Sequence, residues 1–362
     1  LAGAVHAERG VTPSAIVIGQ SAALTGPAAE LGHDMSAGAR AYFKQVNDSG
    51  GVHGRRIELI ARDDGYDADR AEQNTRTLIE QDKVFALFGY VGTATSNAAM
   101  PIFSAADVPF FAPFTGASSL REPFNRNIFN LRAGYTDETE KLIEHLHTIG
   151  IQRIAVFYQN DAYGYAGLDG VNRALAKRKL QLVASSAVDR NSADVSQAAE
   201  VLLAARPDAI VQIGAYSACA ALIKSMRARG YGGQFLNVSF VGSKALLALL
   251  GEQGIGVIVS QVVPFPWGAT ITLQREYAAA MKQAGISELG FGSMEGFIAA
   301  KVFVEGLRAA GPNPTRKKFV EALEGMRDLD LGGFKVSFSP KDHSASRFVD
   351  ITLIGRGARF VR

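Results

Sequence analysis

The sequence predicts two α/β lobes with parallel central sheets, facing each other across a cleft. Three observations carry that reading. Short buried-strand runs alternate with helical stretches of ten or more residues, the order that builds parallel sheets. The alternation runs to about residue 130, restarts at Thr136, and breaks at Pro264 and Pro266, after which helices return. The length of 362 residues exceeds one average domain, and 47% apolar residues suffice for real cores. A single enzyme domain would not need to leave and come back.

Taken in order, Ala15–Ala22 has a buried-strand pattern that Leu24-Thr-Gly-Pro27 closes with a turn. Asp34 is expected to cap a helix with Met35, Ala39, Tyr42, Phe43 and Val46 on its apolar face, ended by the Asn- and Gly-rich 47–51. Strand 57–61, helix 69–80, strand 85–88, helix 96–106 and strand 109–112 complete the unit, and 129–132 crosses out of it. In the second unit Asp137-x-x-Glu140 reads as a capping box for a helix to residue 149. Strands follow at 153–158, 180–187, 209–213, 235–239 and 256–263, with helices at 165–177, 194–205, 218–229 and 244–250. Helices at 272–284, 293–310 and 315–323 come next. Segments 334–338 and 347–353 alternate around a Pro-Lys-Asp-His turn and read as an antiparallel pair added to one lobe. The expected division is 1–11 as signal remnant and extension, 12–132 plus 266–332 as one lobe, and 133–262 plus 333–362 as the other. Three crossings, near 130–134, 262–266 and 332–334, would form the hinge.

Composition excludes several classes. Charged residues at 20% rule out a disordered tail, and a net charge of +3 with scattered Lys and Arg does not favour nucleic acid. Cys219 stands alone, so no disulfide framework or Cys-based metal site exists, and the six histidines have no neighbours suited to a catalytic base. No metal or other cofactor is expected. Leu1-Ala-Gly-Ala-Val-His-Ala7 looks like the tail of a secretory signal, and no run of 18 apolar residues follows it, so no membrane insertion is expected.

The stretch the chain is organised around is Ala86-Leu-Phe-Gly-Tyr-Val-Gly-Thr-Ala-Thr-Ser96, echoed at Phe110-Phe-Ala-Pro-Phe-Thr-Gly-Ala-Ser118. Free N–H groups and hydroxyls at strand-to-helix turns suit a small anionic or polar group, and ligands sit at that edge of a parallel sheet. Thr93, Thr95 and Ser96 are equally ordinary caps; the recurrence at Thr115 and Gly116 favours binding. Asp63 and Asp64 read as turn-capping or lobe-bridging rather than metal-binding. Asp161 follows a strand and either faces the cleft or caps the next helix. Tyr163 and Tyr216 suit stacking over a ligand, and Tyr90, Phe110, Phe111, Phe114, Phe240 and Trp267 crowd predicted strand ends. By alternation one of Phe110 and Phe111 must be core.

With Leu24-Thr-Gly-Pro27, Gly50-Gly-Val-His-Gly-Arg55, Asp63-Asp64, the 89–97 turn, Ala112-Pro-Phe-Thr-Gly116, Asn160-Asp-Ala-Tyr-Gly164 and Gly214-Ala-Tyr216 in this order and spacing, the chain resembles a known family over nearly its whole length. That family is the periplasmic solute-binding proteins of ABC transporters, in the branched-chain amino-acid (leucine/isoleucine/valine) group. The resemblance implies the type I periplasmic-binding-protein fold, two Rossmann-like lobes on a three-strand hinge, in a monomer that serves an inner-membrane ABC permease. It also implies that Thr93 and the 112–116 loop hold a ligand carboxylate, with Phe114 offering a carbonyl and Gly116 standing where the family has a threonine, so that Thr115 supplies the hydroxyl. Tyr216 matches a tyrosine on the far lobe, and Leu31 replaces a cleft-edge aromatic. Tyr66 and Gly92 stand where some members have a disulfide. The family's acid facing the ligand ammonium falls at Ser239, a departure that leaves an ammonium without a negative partner.

A non-enzymatic receptor for a small solute is therefore the leading reading, with an aromatic or other hydrophobic organic acid favoured. An apolar or branched-chain amino acid is the alternative, with Asp161 as substitute acid. A Rossmann-like enzyme is the main rival, but no Gly-x-Gly-x-x-Gly, phosphate loop or Gly-x-Ser-x-Gly elbow occurs. A sensory receptor domain on the same fold is the third reading.

Overall fold

The computed structural model describes residues 8–362, so the expected signal remnant at 1–7 lies outside the described residues. The first lobe is built from β1 (Ala15–Ala22), α1 (Ala29–Asp48), β2 (Arg56–Asp63), α2 (Ala68–Glu80), β3 (Ala86–Phe88), α3 (Thr93–Ala105), β4 (Phe110–Phe111) and β5 (Ile128–Phe129). Its sheet has the order β2-β1-β3-β4-β5 and is parallel throughout. The second lobe follows with α4 (Tyr135–Thr148), β6 (Ile154–Gln159), α5 (Ala162–Ala176), β7 (Ala184–Val188), α6 (Ser196–Ala205) and β8 (Ala209–Ile213). It continues through α7 (Tyr216–Ala228), β9 (Gln234–Asn237), α8 (Ser243–Leu250) and β10 (Ile258–Gln261). The chain then adds α9 (Thr272–Gln283), α10 (Phe291–Ala310), α11 (Arg316–Glu324), β11 (Leu329–Asp330), β12 (Lys335–Val336), β13 (Asp350–Gly355) and β14 (Arg359–Val361). The two-lobe α/β expectation holds.

The inner strands β1, β3, β6, β8 and β10 are buried along nearly their whole length, as near-continuous apolar strands covered on both faces are. In β4, Phe111 joins the larger core while Phe110 faces the smaller one under α2 and α3, so alternation buries both rings. Helix α10 returns to the first lobe and lies along α1. Glycine makes that approach feasible: a Cβ on Gly38 would come within 1.7 Å of Ser293 O, and one on Gly296 within 2.1 Å of Met35 O.

Four local expectations change. Asp34 lies inside α1 rather than at its start, and its carboxylate reaches Lys244 of the other lobe at 2.6 Å. Asp137 is not the cap of α4; Gly134 is, and its N–H donates to Asp137 Oδ2 at 3.0 Å. The segments 334–338 and 347–353 do not pair with each other. Instead β12 folds back on β11 across Gly332 and Gly333, whose N–H groups Asp330 Oδ1 accepts, while β13 adds antiparallel to β10 and turns into β14. The free edge of β10 offers β13 a row of backbone partners, which the short ribbon finds within itself. The last passage toward the second sheet also comes later than 332–334. Phe338 N still donates to Met326 O beside α11, and the chain lies against the first crossing at Ser344, through Asn130 N to His343 O and Ala345 N to Asn130 O, both 2.8 Å.

Candidate functional site

The two recurring turns come together at the edge of the first sheet. Phe114 N donates to Tyr90 O at 2.6 Å, and Gly92 N donates to Phe114 O at 3.2 Å, so the ladder of β3 and β4 extends into the turns. Gly92 precedes α3 at φ 104°, and a Cβ there would lie 2.5 Å from Tyr66 Cε2. Its lack of a side chain makes room for the Tyr66 ring, whose hydroxyl accepts from Gln159 Nε2 of the second lobe at 3.0 Å. Thr93, the first residue of α3, places its hydroxyl 2.6 Å from that of Thr115, which in turn donates to Tyr135 OH at 3.2 Å. Gly116 O accepts from Tyr135 N at 2.7 Å, and the Tyr135 backbone and ring leave no room for a Cβ on that glycine. The Ser96 hydroxyl is buried without a hydrogen-bond partner. Thr95 is spent locally, donating to Val91 O at 2.5 Å.

Rings fill the space between these turns and the second lobe. Phe240 lies 4.5 Å from Tyr163, 5.7 Å from Phe114 and 6.0 Å from Tyr66, measured between ring centres. Tyr163 is anchored by its hydroxyl to Gly214 O at 3.2 Å. Tyr216 OH accepts the Glu30 N–H at 3.3 Å, bridging the lobes at the mouth. Tyr90 does not join this group. Its hydroxyl pairs with Thr75 at 2.9 Å and its ring lies on Phe110, because at this position the side chain points to the opposite face, into the core beneath α2 and α3.

Charge enters from elements the sequence reading passed over. Arg132, in the first crossing, is buried, and its Nε and Nη2 grip Glu295 of α10 at 2.8 and 2.7 Å. Its Nη1 donates to Ser239 Oγ at 3.0 Å, and its guanidinium lies 4.3 Å from the centre of the Phe114 ring. Behind Ser239 stands Glu138 of α4, which accepts from Ser239 N at 2.7 Å, Ser239 Oγ at 2.9 Å and Ser260 Oγ at 2.6 Å. Burial pushes the Glu138 carboxyl above its ordinary range. Position 239 is thus a serine, yet Glu138 accepts from it directly and Glu295 stands on the far side of the Arg132 guanidinium. Asp161, the expected substitute, is otherwise engaged: it caps α5 through Tyr163 N and Gly164 N, accepts from Gln159 Nε2 at 2.7 Å and pairs with Arg190 at 3.3 Å. Glu295 had one readable signal, as a single acid in the otherwise uncharged run from Phe291 to Ala300. Arg132 and Glu138 had none beyond a charge in an apolar crossing and a first-turn acid.

Leu31, Phe114, Arg132, Ser239, Phe291 and Glu295 are among the residues enclosing a cavity of about 10 Å³ between the lobes. That is room for about one water. A solute reaches this wall only when the lobes separate, and Asp34–Lys244 at 2.6 Å together with Tyr216–Glu30 hold the mouth closed.

A family model described as periplasmic binding protein matches residues 15–358. The chain belongs to that family. This periplasmic binding protein is similar in structure to a possible leucine/isoleucine/valine-binding protein from Rhodopirellula baltica, with 34% identity, a TM-score of 0.90, and 97% of this chain and 98% of that one covered. It is also similar to a substrate-binding periplasmic protein from Ralstonia solanacearum, with 35% identity, a TM-score of 0.88, and 94% and 98% covered. Among curated proteins it is 24% identical to Leu/Ile/Val-binding protein homolog 7 of Brucella abortus, over 98% of this chain and 87% of that protein. It is a binding component of an ABC transport system, acting on a small organic solute outside the cytoplasm with a cognate permease, and not an enzyme. Among the described residues no helix is long and apolar enough to cross a membrane, and no group of three His, Cys, Asp or Glu stands ready for a metal.

Proposed function

We propose that this protein captures a branched-chain or other apolar amino acid between its lobes and, as a monomer, presents it to the permease. The observation that carries the reading is the cavity wall itself. A guanidinium and a carboxylate stand side by side at Arg132 and Glu295, next to the Ser239 hydroxyl, with Leu31, Val262, Val263, Phe114 and Phe291 around them. A zwitterionic head on an apolar body suits a wall with both signs and an apolar surround. The aromatic-acid reading rested on a cleft without an acid near position 239, and Glu295 and Glu138 remove that premise. The Rhodopirellula and Brucella relatives, named for leucine, isoleucine and valine, support the same choice.

In this reading the Thr93 and Thr115 hydroxyls and the Gly116 turn take the carboxylate, and the rings of Phe114, Tyr163, Tyr216 and Phe240 close over the side chain. The test is one calorimetric series with leucine, isoleucine, valine and phenylalanine beside 4-methylpentanoate, phenylpropionate and benzoate. Micromolar binding of the amino acids without binding of the deaminated acids is expected. Equal or tighter binding of the deaminated acids refutes the proposal and restores the organic-acid reading.

A further inference from the structure

Glu138 is a buried carboxylate in an unusual position. Among the described residues no Lys, Arg or His lies within salt-bridge distance of it; its three direct partners are the Ser239 amide and the Ser239 and Ser260 hydroxyls. Arg132 is close enough to influence it but has both edges of Glu295 to itself. A buried carboxylate with only neutral donors carries a desolvation cost that a cation would offset. Only Ser239 separates it from the cleft, and Ser239 lines the cavity. That hydroxyl donates its proton to Glu138 and accepts from Arg132, which leaves one of its two lone pairs for a further donor.

We infer that Glu138 acts through Ser239 as the acid partner of the solute's ammonium, supplying from helix α4 the negative charge that the serine at 239 lacks. The inference rests on the amino-acid reading. An ammonium donating to Ser239 Oγ stands one hydroxyl away from the carboxylate, and the hydroxyl is already oriented with its proton toward Glu138 and its lone pair toward the cleft. Glu138 is a positioning residue: it acts by polarising and orienting Ser239, not by touching the solute. The structural alternative is that it merely pins the 239–241 turn to α4 and β10.

The two roles separate by pH. The charged and titratable groups facing Glu138 are Arg132 from the first crossing, Arg121 from the loop after β4, Tyr135 from its own helix and Tyr163 from α5. Burial raises the Glu138 carboxyl, and it is the one carboxyl among these five groups. As pH falls through the Glu138 titration the free protein protonates it, the ammonium loses its partner and amino-acid affinity falls; binding there releases a proton.

The experiment is calorimetry of leucine and 4-methylpentanoate against wild type, Glu138→Gln and Ser239→Ala, at several pH values and in buffers of differing ionisation enthalpy. Expected are a loss of leucine affinity of about ten-fold or more in each variant, a narrowed leucine preference, and loss of the pH slope and proton release in Glu138→Gln. Leucine binding by folded Glu138→Gln with wild-type affinity and pH slope overturns the inference and leaves the amino-acid reading intact. A wild type that binds 4-methylpentanoate but not leucine overturns both. Should Glu138→Gln fail to fold, Ser239→Ala decides: it leaves the carboxylate and one amide donor in place, and unchanged leucine affinity there overturns the inference.

Discussion

Replacing Glu295 with glutamine tests the buried charge at the hinge most directly. The variant keeps the shape of the side chain and one acceptor oxygen but leaves the Arg132 guanidinium, 1% exposed, without a carboxylate. What remains to the cation is Ser239 Oγ at 3.0 Å, the face of Phe114 at 4.3 Å and the more distant charge of Glu138. Breaking a buried pair from one side costs about 3–5 kcal/mol, because the surviving charge is neither hydrated nor matched. The retained amide oxygen and the ring face place the expectation near the lower end, about 3 kcal/mol. With a urea slope of about 3 kcal/mol/M, the upper end for smaller proteins, the unfolding midpoint should fall by about 1 M. The assay is urea unfolding followed by circular dichroism, with Arg132→Met/Glu295→Leu in parallel. The apolar double variant should lose less than the single one, since it removes both charges from a dry site. A midpoint shift below about 0.3 M in Glu295→Gln, or a double variant weaker than the single, refutes the reasoning.

Two further outcomes are expected. Thr93→Ala removes the hydroxyl paired with Thr115 at 2.6 Å and should weaken leucine binding about ten-fold in calorimetry while thermal unfolding shifts little; lost stability without lost affinity would assign Thr93 to the scaffold instead. Asp64, buried against Ser21 Oγ at 2.7 Å and Tyr66 N at 2.8 Å, is pushed up to about 6 by burial. The native state then holds its proton more tightly than the unfolded chain, so that stabilisation is full below pH about 4 and lost as pH rises through about 6. Thermal melts should show wild type losing stability relative to Asp64→Asn between pH 4.5 and 7.5, on the order of 1–3 kcal/mol; parallel pH profiles would refute this.

Period and punctuation were enough for the lobes. Strand and helix periodicities are local, so the alternation, its restart at Thr136 and the proline-marked exit could be read without contacts. The juxtaposed turns at 89–96 and 110–118 were legible for the same reason, since neighbouring parallel strands bring their ends to one edge. Tyr90 shows the limit of that reasoning. It sits at the correct edge, but the face of a residue just past a three-residue strand depends on the turn, and the turn sends its ring under α2.

Local periodicity therefore accounts for most of the elements and their order and for the sheet edge that carries the hydroxyls, and position 239 shows no acid, while the short strands β5, β11 and β14 escape it. Which charged groups stand around that position follows only from the packing of the lobes. Arg132 and Glu295 lie 163 residues apart, and Glu138 and Ser239 lie 101 apart, on a crossing, two helices and a turn. No local pattern couples such positions, because the energy that selects them is the cost of burying each charge, and that cost exists only once the lobes have packed around them.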